Sequence, residues 1–107
     1  MQVQVSTSQI EDGAIISELP KQVSLLQNYP NPFNPTTSIR FELPANQPVT
    51  LRVFDLSGRQ VATLASGVYT AGSHEIRFDA SSLSSGVYFY QLQTETATLT
   101  RKFTLLK

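Results

Sequence analysis

Apolar and polar residues alternate with a period of two along most of this chain. No long window keeps the 3.6-residue period of a helix, so strands are the predicted elements. The pattern is sharpest over 38–43, where Ile39, Phe41 and Leu43 face one way and Ser38, Arg40 and Glu42 the other. The same reading gives strands over 23–29, 49–55, 73–79, 87–93 and 98–106. Their apolar faces are Val49, Leu51 and Val53; His74, Ile76 and Phe78; Tyr88, Tyr90 and Leu92; and Leu99, Phe103 and Leu105. A further strand carries Val61 and Leu64. Turn signals separate them: Pro44 to Pro48, a tight hairpin at Ser57-Gly58, Gly67 to Gly72, and Ala80 to Gly86 with Leu83 packed inward. No interval offers a helix for a βαβ unit, which argues against a parallel sheet. Seven short strands of this kind predict an all-β, antiparallel β-sandwich.

Two stretches break the alternation. Residues 1–23 differ from the rest: from Thr7 to Lys21 there are few large side chains beyond Ile10, Ile15, Ile16 and Leu19, and Asp12-Gly13 marks a turn. They read as a linker, with a short isolated alternation over 2–6, ahead of a domain over 24–107; the alternative is an extra edge strand of that domain. The second stretch is Pro30-Asn31-Pro32-Phe33-Asn34-Pro35. Its prolines fix φ and remove backbone donors, so it is an extended loop and not a ladder. Its asparagines are expected to satisfy nearby backbone groups in Asx-turns. Phe33, its one large apolar side chain, is expected to plug one end of the core.

Composition then removes whole classes of chemistry. The chain has 107 residues, with eight Lys+Arg against eight Asp+Glu, one histidine, and neither cysteine nor tryptophan. Balanced charge leaves no basic excess for a phosphate backbone, so a nucleic-acid partner is not expected. The lack of cysteine removes disulfides, thiol nucleophiles and thiolate metal sites. No apolar run is long enough to span a membrane, so no insertion is expected. A Ser-His-Asp site has only His74 to use, and no serine sits in a Gly-x-Ser-x-Gly elbow. His74 is therefore expected at the rim of the core, bonded to backbone. Asp55 and Asp79 each precede a serine-containing turn, and capping explains both. The clustered acidic spacing of a calcium loop is missing. No catalytic residue, cofactor or metal site is expected. A sugar-binding surface would rest on Tyr69 in a loop, with Tyr29, Tyr88 and Tyr90 in the core. The end of the chain carries Arg101, Lys102 and Lys107 between apolar residues, as on a solvated edge strand.

Five blocks in order resemble one known family. They are Tyr29-Pro30-Asn31-Pro32-Phe33-Asn34-Pro35 with the strand after it, Val53 to Val61, Ala71 to Asp79, Ser85 to Leu92, and Arg101 to Lys107. Together they resemble the type A C-terminal sorting domain of the type IX secretion system. The resemblance implies a seven-stranded Ig-like β-sandwich at the C-terminus of a larger secreted protein. It implies an N-terminal cargo domain that passes through the periplasm. It implies recognition by outer-membrane translocon components and delivery to the cell surface. A sortase-like signal peptidase would cut upstream, within residues 7–24. On this resemblance the recognition elements are the loop residues Asn31, Pro32, Phe33, Asn34 and Pro35, the Gly86-x-Tyr88 block, and Lys102 and Lys107 of the last strand. The residues themselves also leave room for an Ig-like structural spacer or adhesion module, or for a carbohydrate-binding module of a glycoside hydrolase.

Overall fold

The computed structural model describes residues 19–107; the 2–6 alternation and the linker as far as residue 18 lie outside the described residues. Seven strands follow in order: β1 (Ser24–Leu25), β2 (Thr36–Leu43), β3 (Gln47–Phe54), β4 (Gln60–Tyr69), β5 (Gly72–Asp79), β6 (Gly86–Thr94) and β7 (Thr98–Leu105). Among the described residues there is no helix. The strands form two antiparallel sheets, ordered β1-β2-β5 and β4-β3-β6-β7. The sheets cover one another's apolar faces as a β-sandwich. The strand order is Ig-like, with β4 at the edge of the second sheet instead of the first.

Period-two alternation decides which side chains enter the core. Ile39, Phe41 and Leu43 of β2 meet Leu51 and Val53 of β3, Tyr90 and Leu92 of β6, and Phe103 and Leu105 of β7, all 0 % exposed. Each such aliphatic or Phe side chain contributes about 1.5–3 kcal/mol. Leu83 packs on this cluster from the β5–β6 connection, as expected.

Two strands differ from the sequence expectation, each for a local reason. The first ladder is only two residues long, where a strand over 23–29 was expected. Leu26 still donates to Arg40 and Tyr29 still pairs with Ser38. Between them, the Asn28 N–H turns away to the Tyr90 hydroxyl at 2.9 Å, which interrupts the ladder. In β4 the register shifts twice: Leu51 opposes Ala65 but Arg52 opposes Thr63, and Val53 opposes Ala62 but Phe54 opposes Gln60. Leu64 and Val61 are the residues left over, so each sits at a β-bulge. That is why the two apolar residues that mark this strand are an odd number apart. The strand also runs on to Tyr69, into the stretch read as a loop.

The strand directions sort the connections between two ends. At one, here the entry end, β1 begins beside the last residues of β2, and the turns 44–46, 70–71 and 95–97 close the sheets. At the other, the tail end, lie the Pro-rich loop, the 55–59 turn, the 80–85 connection and the residues after β7.

Candidate functional site

The tail end is assembled by bonds between the first long loop and the last strand. Phe33 forms a parallel bridge with Leu105: its N–H donates to the Thr104 carbonyl at 3.1 Å, and its carbonyl accepts from the Leu106 N–H at 3.0 Å. Asn31 Oδ1 accepts from the Thr104 N–H at 2.9 Å. The asparagine expected to serve its own neighbourhood thus caps a strand far along the chain. Proline explains the geometry. Three of the six residues 30–35 lack an N–H, so the loop makes few backbone bonds of its own. The peptide bonds before Pro30, Pro32 and Pro35 are cis.

Asn28 holds the inner side of the loop. Its buried amide donates to the Pro30 carbonyl at 3.1 Å and to Thr37 Oγ1 at 3.1 Å, and the Thr37 hydroxyl donates to the same carbonyl at 2.9 Å. The Tyr90 hydroxyl accepts from the Asn28 N–H and donates to the Leu26 carbonyl at 2.8 Å. Burial raises the pKa of Tyr90, so the hydroxyl keeps its proton for that bond. Under the loop, the Phe33 ring is 3 % exposed and meets Phe103 edge-on at 5.0 Å. Phe103 also touches Phe78, Tyr88 and Tyr90 at ring distances of 6.0, 5.4 and 6.0 Å. Phe33 therefore closes the core at this end, as its position in the sequence suggested.

The tail is tied on its other side. The Lys107 N–H donates to Ser85 Oγ at 2.9 Å, and its ammonium donates to the Ser81 carbonyl at 2.6 Å. Ser81 belongs to the turn capped by Asp79, whose Oδ1 accepts from the Ser81 N–H at 2.9 Å and from the Ser81 hydroxyl. These bonds lower the Asp79 pKa, the serine hydroxyl most, and the Lys107 charge adds a smaller part. Asp55 caps the 55–59 turn in the same way, accepting from Ser57 and Arg59 and pairing with the Arg59 guanidinium at 3.3 Å. Its pKa is also lowered, chiefly by the Ser57 hydroxyl.

The model of one protein family, the secretion system C-terminal sorting domain, matches residues 27–105. The chain belongs to the type IX C-terminal sorting domains. No curated protein matches it. The matched span takes in the Pro-rich loop, Gly86, Tyr88 and Lys102, and stops two residues short of Lys107. This is a family of sorting signals and not of enzymes, and its members are exported through the type IX machinery.

The residues singled out in the sorting domain fall into two groups. Phe33 and Tyr88 are buried, and Tyr88 donates to the Ser84 carbonyl at 2.7 Å. Gly86 faces Leu105 across β6–β7 at φ 154°, a backbone that L side chains rarely adopt, although a Cβ there would meet open space. Asn31, Pro32, Asn34, Pro35, Lys102 and Lys107 are exposed. Loop, Gly86, Tyr88 and Lys107 gather at the tail end. Lys102 stands farther up β7, opposite Phe89, with its carbonyl accepting from Gln27 Nε2 at 2.9 Å.

The side chains weighed for other chemistry are also placed. His74 is half-buried, with Nε2 2.7 Å from the Thr70 carbonyl and its ring stacked on Phe41 at 5.3 Å. Tyr69 is not a free loop ring: it packs edge-on against Phe41 and His74, at 5.5 and 5.1 Å. Tyr29, expected in the core, is 81 % exposed, because the turn of the chain at Asn28 swings it out of the sandwich. Among the described residues no group of three His, Cys, Asp or Glu side chains is placed to hold a metal ion. Sequence reasoning missed Asn28 and Tyr90 as the lock of the loop. A buried Asn two residues before the first proline, in reach of a Tyr on β6, has no signature without the fold.

Proposed function

We propose that this sorting domain takes a cargo attached at its N-terminal side out of the periplasm and through the outer-membrane translocon to the cell surface. In this reading the tail end is the part the translocon components engage, through Asn31, Pro32, Asn34, Pro35 and Lys107 with Lys102 beside them. Phe33, Gly86 and Tyr88 shape that end from beneath. The sortase-like peptidase acts on the segment ahead of β1.

One observation supports this most. The chain comes into β1 at the entry end, where Ser24 pairs with Glu42, while loop and tail meet at the opposite end. A cargo ahead of β1 therefore joins the sandwich at the end opposite loop and tail. The exposed lysines suit steering of an encounter, since rim charges act mainly on association rates.

The test is a reporter with a periplasmic signal fused ahead of residues 1–107, in a host that has the type IX system. Surface delivery is expected with the complete chain. Deleting Leu106 and Lys107 removes three hydrogen bonds, of which the two made by Lys107 are exposed. That deletion is expected to abolish delivery while lowering the melting temperature by only a few degrees, roughly the effect of 1 kcal/mol in a domain this size. Retention of the unaltered fusion in the periplasm would favour the spacer reading.

A further inference from the structure

The outer faces of the two sheets differ in charge. The first sheet carries Glu42, Glu75 and Asp79 together with Arg40 and Arg77. The second sheet contains no Asp or Glu in any of its four strands, yet holds Arg52, Arg101 and Lys102. Arg101 is committed to the core side, where its Nε donates to the Leu25 carbonyl. Arg52 donates to Gln93 Oε1 at 3.0 Å. Lys102 forms no ion pair among the described residues.

The apolar residues of that outer face are equally uneven. Phe54 of β3, Phe89 of β6 and Lys102 of β7 are register neighbours, so they form one row across the sheet. Strand alternation turns Phe54 and Phe89 away from the core that Val53, Tyr88 and Tyr90 fill. Leu56, in the turn below, is 67 % exposed. Phe54, Leu56 and Phe89 border a depression of about 240 Å³, with Gln91 and Thr100 at its rim. The carboxylate beside it, Asp55, stays ionised but is paired with the Arg59 guanidinium and bonded within its own turn. Phe54 and Phe89 are half-buried and Leu56 is exposed, so the solvent side of the sheet keeps apolar surface that serves no core, and such surface, where contiguous, marks an interaction site.

We infer that this half of the outer face, from Leu56 to Lys102, docks a protein partner that inserts an apolar side chain between Leu56 and Phe89 and sets a carboxylate against Lys102. The commitment to an acidic, apolar partner rests on charge complementarity: the four-stranded sheet offers cations and no carboxylate of its own. The patch lies at the tail-end half of β3, β6 and β7, so it continues the surface assigned to the translocon. The inference rests on that sorting reading and names the chemistry of its partner. Buried apolar anchors beside one charge are the usual centre of an interface, and a few of them carry most of the affinity.

The test uses the same reporter fusion, with variants Leu56→Asp, Lys102→Glu, Lys102→Arg and Thr50→Asp. Leu56 sits in an exposed turn, so its substitution leaves folding intact, and melting curves of each variant check this. Leu56→Asp and Lys102→Glu are expected to lower surface delivery at least about tenfold, the loss that follows removal of an interface anchor. Thr50→Asp, on the same face toward the entry end, is expected to deliver like the unaltered chain, and Lys102→Arg, which keeps the positive charge, is expected to lose much less delivery than Lys102→Glu. Folded Leu56→Asp delivered at the unaltered level overturns the patch. Folded Lys102→Glu delivered normally overturns the acidic partner. A concentration-dependent dimer in sedimentation, lost in Leu56→Asp, assigns the patch to a second copy and also overturns the inference. Failure of the unaltered fusion overturns the sorting reading itself, an outcome separate from the others because no variant is then needed to see it.

Discussion

The entry end and the tail end of this sandwich are closed by different kinds of bond. At the entry end the β6–β7 turn is local: the Thr94 N–H donates to the Ala97 carbonyl at 2.8 Å, and Thr94 Oγ1 accepts from Thr96 and Ala97 at 3.2 and 3.1 Å. Asn46 accepts from the Ala71 N–H at 2.8 Å across two neighbouring turns. At the tail end Asn31 reaches Thr104, 73 residues away, and Asn28 reaches Tyr90, 62 residues away. Local turns form early and cheaply, whereas the tail end carries the loop-closure entropy of nearly the whole domain. The end that displays the recognition residues is thus the end that exists only when the last strand is in place.

On that contrast, the largest single loss is expected from the tail end. Phe33→Ala is expected to lower stability by about 3–5 kcal/mol, because the ring is buried against Phe103 and no neighbour fills its place. Urea unfolding measures this, and an unchanged midpoint would break the comparison outright. Tyr90→Phe keeps the ring but removes the hydroxyl between the Asn28 N–H and the Leu26 carbonyl. A buried group left unpaired costs about 1–3 kcal/mol, so this variant is expected to fall below Phe33→Ala. Amide exchange at Asn28, Phe33 and Leu106 should speed up in Tyr90→Phe more than exchange within the β3–β4 ladder.

How much of this was legible in the sequence follows from the range of the forces involved. The strands of the core were readable because alternation acts residue by residue: Ile39, Phe41 and Leu43 had only one face to bury. Turn caps at Asp55 and Asp79 were readable for the same reason, since donor and acceptor lie two residues apart. The bulges in β4 were visible only as a fault in the period, at Val61 and Leu64. The role of Phe33 was legible as the lone apolar group among prolines. The lock of Asn28 with Tyr90, the reach of Asn31 to Thr104, and the exposure of Tyr29 were not, because each depends on which strand lies beside the loop. Lys102 was legible as an exposed cation, but the Phe89 beside it came only with the register of β6 and β7.

The entry end supplies the small effect that sharpens the comparison. Thr94→Ala removes the three hydrogen bonds of the Thr94 hydroxyl, all local to the turn, while the backbone bond to Ala97 stays. It is expected to cost about 0.5 kcal/mol, the low end for hydrogen bonds, because water reaches this turn and replaces them. A loss as large as that of Tyr90→Phe in the same urea series would show that the two ends are not different in kind.

The smallest expected effect concerns acid. The Asp79 carboxyl is held below its ordinary pKa of 3.8 by the Ser81 hydroxyl first, and by the Lys107 charge last. A carboxylate with a depressed folded-state pKa adds stability above its unfolded value and loses it as pH falls through the folded one. The tail end is therefore expected to loosen only below about pH 4, where an unfolded aspartate takes up its proton. Because Lys107 contributes least among the causes, Lys107→Ala should raise the Asp79 pKa only slightly, while Ser81→Ala should raise it clearly. Carboxyl titration by NMR measures both. Were Lys107→Ala to move Asp79 as far as Ser81→Ala does, the ammonium would be committed to Asp79 and not to the Ser81 carbonyl. It would then be pinned by charge inside the turn and would lose its place on the surface offered to a partner.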